Sequence, residues 1–157
     1  MTQKSPARLR RLEEQDVETV AGFEREIAKI SFPDDPITDL KFYANKVERL
    51  VNDDRAACFV AEDDTGVVGW AYVSERRNFI TKERYADFHS IYVDPSQRGG
   101  GVVNMLCEAI FGYCREQKFG HVVFRTRATN EPMKKVLARV GFVPTQIYYE
   151  KHFGKDG

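Results

Sequence analysis

Cysteine is scarce in this chain of 157 residues: Cys58, Cys107 and Cys114 are an odd count with no C-x-x-C pair. That argues against a disulfide framework and against a thiolate zinc site. Buried, reduced thiols are the expectation, with Cys107 and Cys114 on one helix face and the cytoplasm as the compartment. An excess of one charge is also lacking, since 24 basic residues face 24 acidic ones. The balance offers no bulk attraction to nucleic acid or to a membrane surface. No apolar run approaches the length of a membrane span. Residues 1–6 are followed by no apolar stretch of the kind a secretory signal needs. Repeats, low-complexity tracts and linkers are absent, so one domain over residues 1–157 is expected. With 42% hydrophobic and 31% charged residues, the composition is that of an ordinary globular protein.

The most informative segment is residues 87–106. Ile91 and Val93 alternate with Ser90 and Tyr92 as a strand requires, and Pro95 ends the strand. Gly99, Gly100 and Gly101 follow, and then a helix opens. A loop without Cβ atoms at a helix N-terminus suits a bulky phosphate. A kinase-type loop needs Lys and Ser or Thr after its last glycine, where Val102 and Val103 stand; a dinucleotide fingerprint needs Gly where Asn104 stands.

What matches is V-x-P-x-Q-R-G-x-G-V from Val93 to Val102, which resembles the pyrophosphate loop of the GNAT superfamily of acyl-CoA-dependent N-acyltransferases. Downstream, Asn130 can cap a short helix through Met133, Leu137 and Val140, ended by Gly141 and Phe142 with Pro144 beyond. This resembles the family's second motif. The resemblance covers residues 55–150.

Periodicity and turn signals give the order β, α, α, β, β, β, α, β, α, β. A first strand is expected over Ala7–Glu13. Asp16 can cap a helix with Val20, Phe23, Ile27 and Ile30 on one face, and Leu40, Tyr43, Val47 and Leu50 mark a second helix. Strands are expected at Ala57–Glu62 and Val67–Val73 around an Asp63–Gly66 turn, then at Ala86–Val93, His121–Arg127 and Thr145–Lys151, with a helix over Val102–Gln117. The fold class is α/β with a mixed, mostly antiparallel central sheet and helices on both faces. The resemblance adds that two central strands splay, one ending at Val93 and one starting at His121.

The resemblance also implies an N-acetyltransferase that moves an acetyl group from acetyl-CoA to a primary amine by direct transfer. Acetyl-CoA is then the co-substrate and no metal takes part. The acceptor is a small-molecule or peptide amine; no nucleic acid or membrane partner is expected, and a homodimer is left open. Ile91, Tyr92 and Val93 would face the pantetheine arm. Gln97, Arg98, Gly99, Gly100, Gly101, Val102 and Val103 would surround the pyrophosphate, with Asn130, Met133 and Lys134 in the second motif.

Such chemistry needs a base for the amine's proton. Asp87 and His89 are the candidates, placed by strict alternation on one face with Ile91 and Val93. The alternatives are a packed or substrate-recognising histidine at position 89 and an ion pair of Asp87 with Arg76, Arg77 or Arg84. Two departures stand out: Val103 where the family has a small residue, and Leu137 where many members carry a tyrosine acid. They keep a non-catalytic acyl-CoA-binding module open as the alternative. The loop over residues 74–85 carries Arg76, Arg77, Lys82 and Arg84 and can border the acceptor site or simply be solvated. Asp34, Asp35 and Asp39 can draw a cationic amine or initiate turns.

Overall fold

The structure, a computed structural model, describes residues 6–99 and 101–154. The chain divides into two units, Met1–Arg127 and Ala128–Gly157. The first unit holds a five-stranded sheet ordered β1 (Arg8–Arg11), β2 (Ala56–Asp63), β3 (Gly66–Arg77), β4 (Arg84–Val93) and β5 (Val122–Phe124). All neighbours run antiparallel except β4 and β5, which are parallel.

Its helices are α1 (Val17–Ser31), α2 (Leu40–Val51) and α3 (Val102–Glu116). Side chains of Trp70, Tyr72, Cys58 and Val60 pack with Val20 and Phe23 of α1 and Val47 of α2. On the opposite face, a side chain at Gly69 would meet Val102 and Leu106 of α3. The sheet is therefore sandwiched, and Trp70, Phe88, Leu106 and Ile110 are fully buried. Each such side chain stabilises the fold by roughly 1.5–3 kcal/mol.

Several expectations change in detail. β1 is shorter than expected, and Arg10 within it reaches out to Asp16 at 2.7 Å and Glu62 at 3.1 Å. Asp16 precedes α1 without capping it; its carboxylate instead accepts from the Glu13 N–H and from Arg10. Ile30 is exposed. β5 stops at Phe124, three residues before the expected end at Arg127. The Arg125 guanidinium turns to Asp87 and that of Arg127 to the Ser31 carbonyl.

In the second unit, α4 (Glu131–Arg139) begins as the pattern predicts, with the Asn130 side-chain Oδ1 accepting the Met133 N–H at 3.2 Å. Gly141 takes a left-handed φ of +100°, which only glycine adopts freely. Residues 145–151 form no strand, and Ile147, Tyr148 and Tyr149 are exposed. An alternating pattern becomes a strand only where a neighbour supplies backbone partners.

Candidate active site

The site grows from one irregularity in β4. Tyr72 pairs with Ser90 and Val73 with Phe88, leaving His89 as an extra residue in a β-bulge. Beyond the bulge the alternation is offset. Asp87 lies opposite Ser74, and Tyr92 opposite Trp70, on the face of α1 and α2. Ile91 and Val93 lie opposite Ala71 and Gly69, on the face of α3. The expectation that Asp87 and His89 share a face with Ile91 and Val93 is thus corrected: strict alternation holds only in an unbulged strand.

His89 is held on three sides. Its ring stacks on Tyr72 with centroids 4.8 Å apart, Nε2 lies 2.5 Å from Ser74 Oγ, and Nε2 is 3.9 Å from Asp87 Oδ2. Burial lowers its pKa below 6.5; Asp87 opposes this, while Arg76, Lys46 and Arg125 add to it. The imidazole is therefore neutral at pH 7. Asp87 is 3% exposed, and its Oδ2 faces Arg125 at 3.2 Å and Arg76 at 3.4 Å. Of the three arginines suggested by sequence, Arg76 alone is found on Asp87; Arg84 bonds Glu75 instead.

Glu24, on α1, is the buried acid that sequence reading passed over. It stands four residues after Val20, within the apolar stripe, and a charge on that stripe was the available signal. It is 4% exposed; Oε2 is 3.8 Å from Lys46, and Oε1 is buried with no hydrogen-bond partner. Burial raises its pKa against the pull of Lys46 and Ser90. Ser74 was missed too, because only the strand register sets it opposite Asp87.

Among the described residues no strand pairs with the other half of β4 along its outer edge. β5 pairs only with Ala86, Asp87 and Phe88. The Asp94 N–H donates to the Val68 carbonyl, so alternation turns the backbone groups of Ile91 and Val93 away from β3, toward the edge that β5 leaves. Arg98 covers part of that edge, with Nε donating to the Val93 carbonyl at 3.2 Å and the guanidinium over the Tyr92 ring. Tyr92 itself stacks on Phe23.

The glycine loop follows. Gly99 and Gly101 have φ of +88° and +86°, and Gly101 is the N-cap of α3 without any side-chain cap. A backbone of this shape at a helix start presents N–H groups to an anion. Gln97 points elsewhere, donating to Asp63 at 3.1 Å. Val102 is buried and Val103 half-buried at the first turn of α3. Gly100 lies outside the described residues. In the second unit, Asn130 bonds Met133 at the start of α4, and Lys134 pairs with Glu131 at 3.0 Å. Leu137 is half-buried. Among the described residues no cluster of His, Cys, Asp and Glu could hold a metal ion, and no helix is long and apolar enough to cross a membrane.

The bulged strand, glycine loop and helix start follow one another in order on an α/β sheet. Residues 18–142 match the Acetyltransferase (GNAT) family, and the chain belongs to that family. No curated protein matches it. Among solved structures, a possible acetyltransferase from Clostridium difficile 630 is 18% identical with a TM-score of 0.78, covering 96% of this chain and 99% of its own. The ribosomal-protein-alanine N-acetyltransferase from Brucella melitensis biovar Abortus 2308 is 21% identical with a TM-score of 0.74, over 95% and 100% of the two chains. An aminoglycoside N-acetyltransferase, AAC(6')-Iy, solved in complex with CoA, is 23% identical with a TM-score of 0.78, over 98% and 99%. These likenesses establish the shared fold.

Proposed function

We propose that the chain transfers an acetyl group from acetyl-CoA directly to a primary amine, with His89 as the base. The observation that carries this reading is the half-paired β4, where a neutral imidazole on a bulge adjoins a strand edge that no strand among the described residues pairs. The residues present suit the co-substrate. The glycine loop and the α3 N-terminus suit its pyrophosphate, and the Ile91–Val93 edge suits its amide-bearing arm, as an added strand would. Asn130, Met133 and Lys134 remain the second-motif contacts in this reading. AAC(6')-Iy has also been solved with a bisubstrate analogue, CoA-S-monomethyl-acetylneamine, which favours an amine acceptor here.

Bound acetyl-CoA supplies an activated acyl carbon and a thiolate leaving group. Asp87 near Nε2 favours the tautomer with hydrogen on that nitrogen, donated to Ser74 Oγ, so Nδ1 keeps the lone pair. Nδ1 accepts the proton that leaves the amine, and Asp87 steadies the resulting imidazolium. The amine nitrogen bonds to the acyl carbon as the carbon–sulfur bond breaks and its electron pair departs with sulfur. A backbone N–H on the open half of β4 donates to the oxygen that gains charge. Leu137 offers no proton to the thiolate, but a thiol pKa of about 8.5 lets it leave unassisted near neutrality. The cysteines are buried, and burial pushes Cys58 up to about 12 and Cys114 to about 11, which suits a reducing cytoplasm.

Thiol release from acetyl-CoA across an amine panel, beside calorimetry with CoA, tests this. Turnover with at least one primary amine is expected. CoA binding with no turnover of any amine favours the acyl-CoA-binding module.

A further inference from the structure

The cations around His89 outnumber the anions, and they are the more exposed partners. Arg125 and Arg76 share a single oxygen of Asp87, and their side chains remain 77% and 54% exposed. Each guanidinium has five N–H donors, and those Asp87 does not use can grip a carboxylate as a fork. Lys46 is the third cation, opposite Glu24. All three act on the imidazole, as their common effect on its titration records. Against them stand two carboxylates: Asp87, already shared between two arginines, and Glu24, which burial drives toward its neutral form.

Such a field repels a polycationic acceptor. It also lowers the pKa of a bound amine, which favours the neutral nucleophile that transfer requires. An ammonium alone would be drawn in poorly, so the acceptor needs a negative group to offset the repulsion. Arg125 directly follows the residue where β5 ends, and its partner Asp87 lies on the same face as His89. The guanidinium donors thus stand beside the proposed base.

We propose that the acceptor is a carboxylate-bearing small-molecule amine, its carboxylate held by Arg125 and Arg76 and its amine presented to His89. Asp87 then has a second task, holding the two guanidiniums ready. This assignment rests on the acetyltransferase reading and deepens it.

The test compares 4-aminobutyrate, an α-amino acid series and neamine with the corresponding carboxamides of the acids, by thiol release and by calorimetry on the CoA complex. The expected result is a kcat/KM at least about tenfold higher for a carboxylate than for its amide. Arg125→Gln should reduce that preference by about tenfold or more, and Arg125→Lys should restore part of it, because charge returns without the fork. Turnover with no preference for carboxylates, or with neamine as the best acceptor, overturns the proposal and leaves the transferase reading standing. Carboxylate binding that Arg125→Gln weakens, with no turnover of any amine, keeps the anion site and overturns the transferase reading. Neither binding nor turnover overturns both.

Discussion

The two halves of β4 make different use of one strand. From Ala86 to Phe88 the backbone is bonded on both sides, by β3 and β5, and Phe88 is buried. From Ser90 to Val93 only β3 is bonded, and the outer edge is left to Arg98. The one extra residue between them is His89. A bulge disrupts the ladder locally and re-aims the side chain. The contrast teaches that the scaffold and the candidate chemistry sit within a few residues of each other and can be broken separately.

The largest effect expected is on the closed half. Phe88→Ala should lower stability by about 3–5 kcal/mol in denaturant unfolding, as loss of a fully buried aromatic does. Ile91→Ala, at a half-buried position on the open half, should cost clearly less; an equal loss would erase the distinction. Next, His89→Gln should reduce kcat by about two orders of magnitude while CoA affinity by calorimetry stays near wild type. A fully active His89→Gln variant would reassign the histidine to packing against Tyr72. Gly101→Glu follows. Its backbone sits at a φ of +86°, so a side chain adds strain and a negative charge faces the pyrophosphate. CoA affinity should fall by at least about tenfold, and an unchanged affinity would remove the glycine loop from the binding site.

The smallest effect sharpens the electrostatics. Because burial lowers the His89 pKa, the base form persists below pH 6.5, and kcat/KM should fall with acid only at a midpoint under that value. Asp87 is the one cause that raises the pKa, so Asp87→Asn should move the midpoint further down. A midpoint that rises in Asp87→Asn contradicts the assigned coupling.

What was legible in the sequence is what the backbone encodes locally. Pro95, Gly99 and Gly101 mark the end of β4 and the start of α3 by their own conformational limits, and Asn130 and Gly141 bracket α4 in the same way. The buried halves of α1 and α2 followed from spacing, as Val20, Phe23, Tyr43 and Val47 show. What was not legible depends on long-range pairing. The bulge at His89 is a property of the β3–β4 register, and so is the pairing of Ser74 with His89. β5 ends at Phe124, and Arg125 and Arg127 beyond it find partners far away in the chain. Residues 145–151 alternate as a strand does and yet form none. Glu24 was readable in principle, as a charge inside an apolar stripe, but its contact with Lys46 joins α1 to α2.

The central claim is that the open half of β4 receives the co-substrate's arm. Amide hydrogen exchange read residue by residue by NMR, with and without acetyl-CoA, tests it most directly. In the free protein the N–H groups of Tyr92 and Asp94, turned toward β3, should be protected, while those of Ile91 and Val93 exchange faster. With acetyl-CoA bound, Ile91 and Val93 should become protected and the Ala86–Phe88 amides should change little. Binding of acetyl-CoA that leaves the exchange of Ile91 and Val93 unaltered would contradict the account.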